Sequence, residues 1–187
     1  MMSSDRPRCI VIGIGNPDRG DDAAGPAVVR SLRDGVTAAP DLDCRTAPAV
    51  PAVRSVIIEH HGEATALIPE MTAADELFLV DACVSGAPPG TIHRFDVSTV
   101  PMPALASGYS THGFGLAAAV ELARALGLLP RRSIVYAIEG TSFDRGAALS
   151  PLVADAAAEV VWRLRAEIDG EGTAPCGGDC RGVACHE

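Results

Sequence analysis

The stretch Ile10-Val11-Ile12-Gly13-Ile14-Gly15-Asn16, followed closely by Gly20-Asp21-Asp22, constrains this chain more than any other. Its first three positions are apolar without alternation, the pattern of a strand buried on both faces in a parallel sheet covered by helices. The glycines mark a turn. Two adjacent carboxylates then enter the next helix. In open α/β sheets, ligands bind outside the carboxyl ends of the strands. A strand that delivers acidic groups to that edge is both a fold signal and a site signal.

The rest of the chain repeats the same grammar. Residues 9–14, 56–59, 77–83 and 133–138 read as strands, with continuous apolar centres at Leu77-Phe78-Leu79-Val80 and Ile134-Val135. Residues 91–97 mix Ile92 and Phe95 with His93, Arg94 and Asp96 after a Pro88-Pro89-Gly90 turn, and read as an edge strand. Pro26 suits the first turn of a helix reaching about Arg33, with Gly35 just beyond its end. A helix over residues 116–126 stops at Gly127 and Pro130. Ser150-Pro151 form an N-cap and N1 pair for a helix to about Ile168, ended by Gly170. Strands alternating with helices, without internal repeats, predict a three-layer α/β/α domain around a mostly parallel sheet. Residues 1–169 are expected to form that domain, and the Gly-, Pro- and Cys-rich residues 170–187 a flexible tail outside it.

Charge and composition remove whole classes of function. The 187 residues suit one globular domain, and a formal charge of -9 would repel phosphate backbones, so no nucleic-acid partner is expected. All 15 basic residues are arginine, which excludes Schiff-base chemistry and a P-loop lysine. The N-terminal residues lack the apolar region and small-residue cleavage site of a signal peptide. No apolar run approaches the roughly 18 residues of a membrane span. The six cysteines, Cys9, Cys44, Cys83, Cys176, Cys180 and Cys185, therefore read as reduced thiols of a cytoplasmic protein away from membranes.

Several constellations compete for the chemistry. Gly13-Ile14-Gly15 begins a dinucleotide fingerprint, but Asp18 stands at the third glycine, and the acidic residues that follow oppose a pyrophosphate. Asp21 and Asp22 could cap a helix, since carboxylates are favoured in its first turn. One cap needs only one side chain, so one of them would cap and the other coordinate, and spacing does not say which. Asp81 ends a buried run, where a carboxylate needs a hydrogen-bond donor or a cation to offset desolvation. It could hold a loop amide or serve a metal. His112, in Ser110-Thr111-His112-Gly113 before a helix, would be kept neutral by the helix terminus and able to ligate metal. It could equally be an exposed turn histidine, and His60-His61 is the competing pair. A serine-hydrolase site fares worse, because the sequence around Ser110 lacks the closing glycine of a nucleophile elbow. No His-Glu-x-x-His motif is present. Cys83, two residues from Asp81, reads as a core thiol rather than a nucleophile, since nearby carboxylates raise thiol pKa. In the tail, Cys176, Cys180, Cys185 and His186 offer soft metal ligands in a spacing that matches no standard zinc motif.

Together, Gly13-Ile14-Gly15-Asn16, Gly20-Asp21-Asp22-Ala23-Ala24-Gly25-Pro26, Val80-Asp81-Ala82 and Ser110-Thr111-His112 closely resemble the [NiFe]-hydrogenase maturation endopeptidases. The resemblance runs in order over about residues 8–168. It implies a twisted five-stranded sheet flanked by helices. It further implies a selective cytoplasmic protease that removes the C-terminal extension of the hydrogenase large-subunit precursor once nickel has been inserted. The family's metal-contacting residues carry over to Asp22, Asp81 and His112, which the resemblance makes both the catalytic and the metal-contacting set. Ala23 and Ala24 replace a glycine-containing step common in the family, and the Cys-rich tail lies outside its pattern. The resemblance leads us to expect the nickel to belong to the substrate rather than to the resting enzyme, a precursor partner, and a monomeric protease. The alternatives are a non-proteolytic nickel-binding chaperone using the same ligands, and a phosphorylase or nucleosidase on a similar sheet. The acidic entrance opposes the last of these.

Overall fold

Every run expected to form a strand does so. The computed structural model describes residues 9–35, 55–73, 75–102 and 116–169. Its strands are β1 (Cys9–Ile14), β2 (Ser55–His60), β3 (Glu76–Cys83), β4 (Ile92–Asp96) and β5 (Arg132–Glu139). The helices are α1 (Ala24–Arg33), α2 (Ala64–Thr72), α3 (Leu116–Ala125) and α4 (Pro151–Ile168), with a short 3-10 turn over Gly20–Ala23 ahead of α1. Among these residues no helix is long and apolar enough to cross a membrane.

The strands form one sheet in the order β2-β1-β3-β5-β4. The first four run parallel, and β4 closes the edge antiparallel to β5. The three-layer, mostly parallel architecture is the one the sequence predicts, and the mixed-polarity run does lie at an edge. From β1 the chain goes to β2 on one side, then returns past β1 to place β3 on the other. The carboxyl ends of β1 and β3 therefore flank the topological switch point, where the strand order leaves a crevice for ligands.

Strand side chains alternate between faces, and both faces are covered. Val11, Phe78, Val80, Tyr136 and Ile138 pack with residues of α1 and α4, whereas Ile10, Ile12, Leu77, Leu79 and Val135 pack with residues of α2 and α3. This double cover is why the runs read as continuously apolar. Glycine sets how closely α1 approaches the sheet. A Cβ added at Gly25 would lie 2.3 Å from the Ile14 carbonyl oxygen and 2.6 Å from that of Val80. One added at Gly13 would lie 2.2 Å from the Gly25 carbonyl oxygen. The start of α1 thus rests backbone to backbone on β1 and β3.

One helix was not expected from the sequence, and one expected cap is absent. Helix α2 carries Pro69 in its interior, where the missing N–H and the ring count against a helix in any sequence-based reading. It forms because Leu67 and Met71 are fully buried, so packing overrides propensity. Ser150 does occupy the N-cap position of α4 with extended backbone, but its hydroxyl makes no capping bond. Its main-chain N–H donates instead to Asp21 Oδ1 at 2.7 Å.

Opposite the switch point, Glu167 near the end of α4 gathers three partners. Arg94 of β4 donates twice, at 2.9 and 2.8 Å, Arg132 donates at 2.9 Å, and the Tyr136 hydroxyl donates at 2.5 Å. Burial alone would raise the Glu167 carboxyl, but Arg94 and Tyr136 outweigh it and hold it below the usual range.

Candidate active site

Asp22 is carried to the crevice by backbone geometry. Gly15 adopts φ 137°, and a Cβ there would lie 1.9 Å from the Asp22 carbonyl oxygen, so only glycine lets the turn pass this close. The Asp22 side chain is 5% exposed, and its Oδ2 accepts the Asn16 N–H at 3.1 Å. Asp81 arrives from the neighbouring strand, near the end of β3. It is half-buried, and its Oδ1 accepts the N–H of Ala82 at 2.8 Å. Burial first, and then the negative charge of Asp22, push the Asp81 carboxyl up to about 8, and the single Ala82 N–H offsets this only in part. The structure therefore brings Asp22 and Asp81 together at the switch point, close enough to feel each other's charge. A carboxyl raised this far keeps its proton at neutral pH, and a divalent ion that displaced the proton would be shared by both carboxylates, so this donor pair fits a divalent ion.

Asp21 does something else. It is fully buried, and Oδ2 accepts the N–H groups of Thr141 and Ser142 at 2.8 and 3.0 Å. With the Ser150 bond to Oδ1, it staples the β5–α4 connection to the start of α1. Neither the 3-10 turn nor α1 has a side-chain cap, so neither Asp21 nor Asp22 caps the helix, although one of the two was expected to. Burial would raise its carboxyl, but the backbone donors of Thr141, Ser150 and Ser142 prevail and lower it.

His112, with Ser110 and Thr111, lies outside the described residues, as does the tail carrying Cys176, Cys180, Cys185 and His186. Of the competing pair, His61 is exposed, and His60 sits at the end of β2, on the far side of β1 from β3. Its Nδ1 accepts the Gly62 N–H at 2.9 Å, and burial, then the His61 charge, lower its pKa.

One group of functional type escaped the sequence reading. Glu139, the last residue of β5, is 1% exposed and stands directly opposite Cys83, the last residue of β3. Its Oε1 accepts the N–H groups of Ser85 and Gly86 at 2.7 and 2.8 Å, and its Oε2 accepts the Ser85 hydroxyl at 2.9 Å and the Cys83 thiol at 3.2 Å. Burial, followed by the bond to Glu139, raises the Cys83 thiol far above its ordinary value, consistent with an unreactive buried thiol. No motif marks Glu139 in the sequence. The only available signal is an acidic residue ending an apolar run, the same signal that singled out Asp81.

The class of fold is shared with solved maturation endopeptidases. The hydrogenase maturating endopeptidase HybD from Escherichia coli superposes with a TM-score of 0.70 at 24% identity, covering 88% of this chain and 94% of that one. The solution structure of an endopeptidase from Escherichia coli gives 0.69 at 25% identity, over 88% and 93%. The sequence profile of HycI, hydrogenase maturation protease, matches residues 52–167, and the chain belongs to this family. That match contains Asp81 and His112, while Asp22 precedes it. The hydrogenase expression/formation protein HupD of Thiocapsa roseopersicina is 26% identical over 153 residues. The aligned part is 81% of this chain and 63% of HupD, so the chain spans less than two thirds of that relative's length.

Proposed function

We propose that this chain is an endopeptidase that removes the C-terminal extension of a nickel-loaded [NiFe]-hydrogenase large-subunit precursor. The observation that carries this reading is the approach of Asp22 to Asp81 at the β1/β3 switch point, in a chain of the hydrogenase maturation protease family. Asp22 and Asp81 supply negative charge to a dication, and His112 supplies a neutral ring nitrogen. The nickel is part of the substrate and serves as the recognition handle, so the residues of this chain need only complete its coordination while the scissile peptide is held nearby. The domain that does this spans residues 1–169, with residues 170–187 as an appended tail, and the enzyme acts as a cytoplasmic monomer.

The test is incubation of the purified chain with nickel-loaded and nickel-free precursor. Shortening of the loaded form alone, seen on a gel, is the expected result. Binding of the loaded precursor without shortening would replace the protease with a chaperone.

A further inference from the structure

We propose a second divalent-cation site, formed by Cys83 Sγ, His93 Nε2 and Glu139 Oε2 at the β3–β5–β4 end of the sheet, suited to a zinc-class transition-metal ion. The three residues come from three adjacent strands. Cys83 is paired with Glu139 across the parallel ladder, and His93 is paired with Ala137, two residues before Glu139, so all three share one face. Each offers a donor atom, and these atoms lie within 4.8 Å of one another.

Three features distinguish this group from an ordinary buried carboxylate. First, His93 Nε2 is buried and makes no hydrogen bond to any of the described residues. A buried ring nitrogen without a partner demands an explanation, and coordination supplies one. Its distance to Glu139 Oε2 is 3.6 Å, too long for a hydrogen bond. It is close to the edge of about 3.4 Å that a tetrahedron with metal–ligand bonds of about 2.1 Å would show. Second, Glu139 is already oriented by Ser85 and Gly86, the outer support that fixes a metal ligand in place. Third, the donors balance a dication: a thiolate and a carboxylate together cancel its charge. On binding, the Cys83 S–H bond breaks, its proton goes to solvent, and the sulfur electron pair forms the metal bond.

Sulfur, nitrogen and oxygen donors in one set favour zinc-class ions over magnesium or calcium. Three protein ligands leave a fourth position open. Glu139 also lines a cavity of about 400 Å³ with Val84, Ala87, Pro89, Thr141 and Phe143.

The test uses cobalt(II) as the probe on the chelator-stripped full-length chain carrying Cys44→Ser, Cys176→Ser, Cys180→Ser and Cys185→Ser. These changes leave Cys83 and the buried Cys9, which lies at the opposite end of the strands. The expected result is a thiolate-to-cobalt absorption band that saturates at one equivalent and is displaced by zinc. Cys83→Ala should abolish the band. His93→Gln, at a side chain 23% exposed and so tolerant of change, should weaken cobalt binding by about 10–100-fold or more. Asp22→Asn should leave the band intact, because Asp22 contributes no donor atom to the Cys83, His93 and Glu139 set. Absence of the band at stoichiometric cobalt, its survival in Cys83→Ala, or its loss in folded Asp22→Asn would overturn the proposal. If circular dichroism shows Cys83→Ala unfolded, His93→Gln decides alone, and unchanged affinity there rejects the site. Precursor cleavage is not read in any arm, so failure here leaves the protease reading standing.

Discussion

The two ends of the sheet treat buried carboxylates in opposite ways. Glu167, beside the amino-terminal end of β5, meets two guanidinium groups and a phenol. Asp22 and Asp81, at the carboxyl end of β1 and β3, meet each other, and burial, then the Asp22 charge, drive the Asp81 carboxyl up. One end compensates its charge with arginines from within the chain, and on the proposed function the other offers its charge to the substrate's nickel. Asp21 shows that position at the functional edge is not sufficient. It sits beside Asp22 but spends its oxygens on three backbone N–H groups, so its role is structural.

The largest effect that would break this comparison is on activity. Asp22→Asn and Asp81→Asn keep side-chain size but remove the charge offered to the dication. Each should lower cleavage of the loaded precursor by roughly 10³-fold or more, as expected when a group acting directly in a site is lost. Urea denaturation should show no loss of stability, and Asp81→Asn should be slightly more stable, since an amide escapes the cost of burying the carboxyl and the repulsion from Asp22. A destabilised but active Asp81→Asn would invert the assignment of the two ends. His112→Ala should lower cleavage similarly with the fold intact by circular dichroism.

At the other end the expectation is reversed. Glu167→Gln should cost stability while preserving the activity of each folded molecule. A fully buried broken pair costs about 3–5 kcal/mol, but Arg94 and Arg132 are 41% and 36% exposed, so about 2–3 kcal/mol is expected. Asp21→Asn comes next, at about 1–3 kcal/mol, because an amide cannot present two acceptor oxygens to three converging N–H groups. The pH dependence follows from its lowered carboxyl. The Asp21 contribution is fully present above the unfolded-state value of about 3.9 and is lost as pH falls through the lower folded value. The stability gap between wild type and Asp21→Asn should therefore be constant near neutrality and shrink below about pH 4. The smallest effect belongs to Arg163→Ala, whose exposed i,i+4 bond to Glu159 should contribute only about 0.3–0.5 kcal/mol by thermal melting.

The sheet was legible because strands covered on both sides leave no polar alternation, and β1 begins and ends where its apolar run does. Helix α2 was hidden by Pro69, whose local cost is visible in sequence while the burial of Leu67 and Met71 that offsets it is not. Asp22 and Asp81 could be picked out because each follows a buried run, yet nothing in their spacing separates Asp22 from Asp21. That distinction depends on Thr141, Ser142 and Ser150, more than a hundred residues away along the chain, whose N–H groups claim one carboxylate and not the other. Glu139 and His93 were passed over for a related reason: their meeting depends on which strands are neighbours, and β5 inserts between β3 and β4, which are consecutive in the chain.

The seating of α1 on Gly13 and Gly25 has a historical consequence. Contacts between side chains can be renegotiated as a lineage drifts, one methyl traded for another, with helices sliding by small amounts as cores repack. A helix that rests on main-chain atoms has no such freedom, because main-chain atoms are the same in every descendant. The separation between the Asp22 and Asp81 carboxylates is referred to that fixed surface rather than to the changeable core. Lineages can diverge until little of the original interior remains and still inherit the same spacing between the two acids.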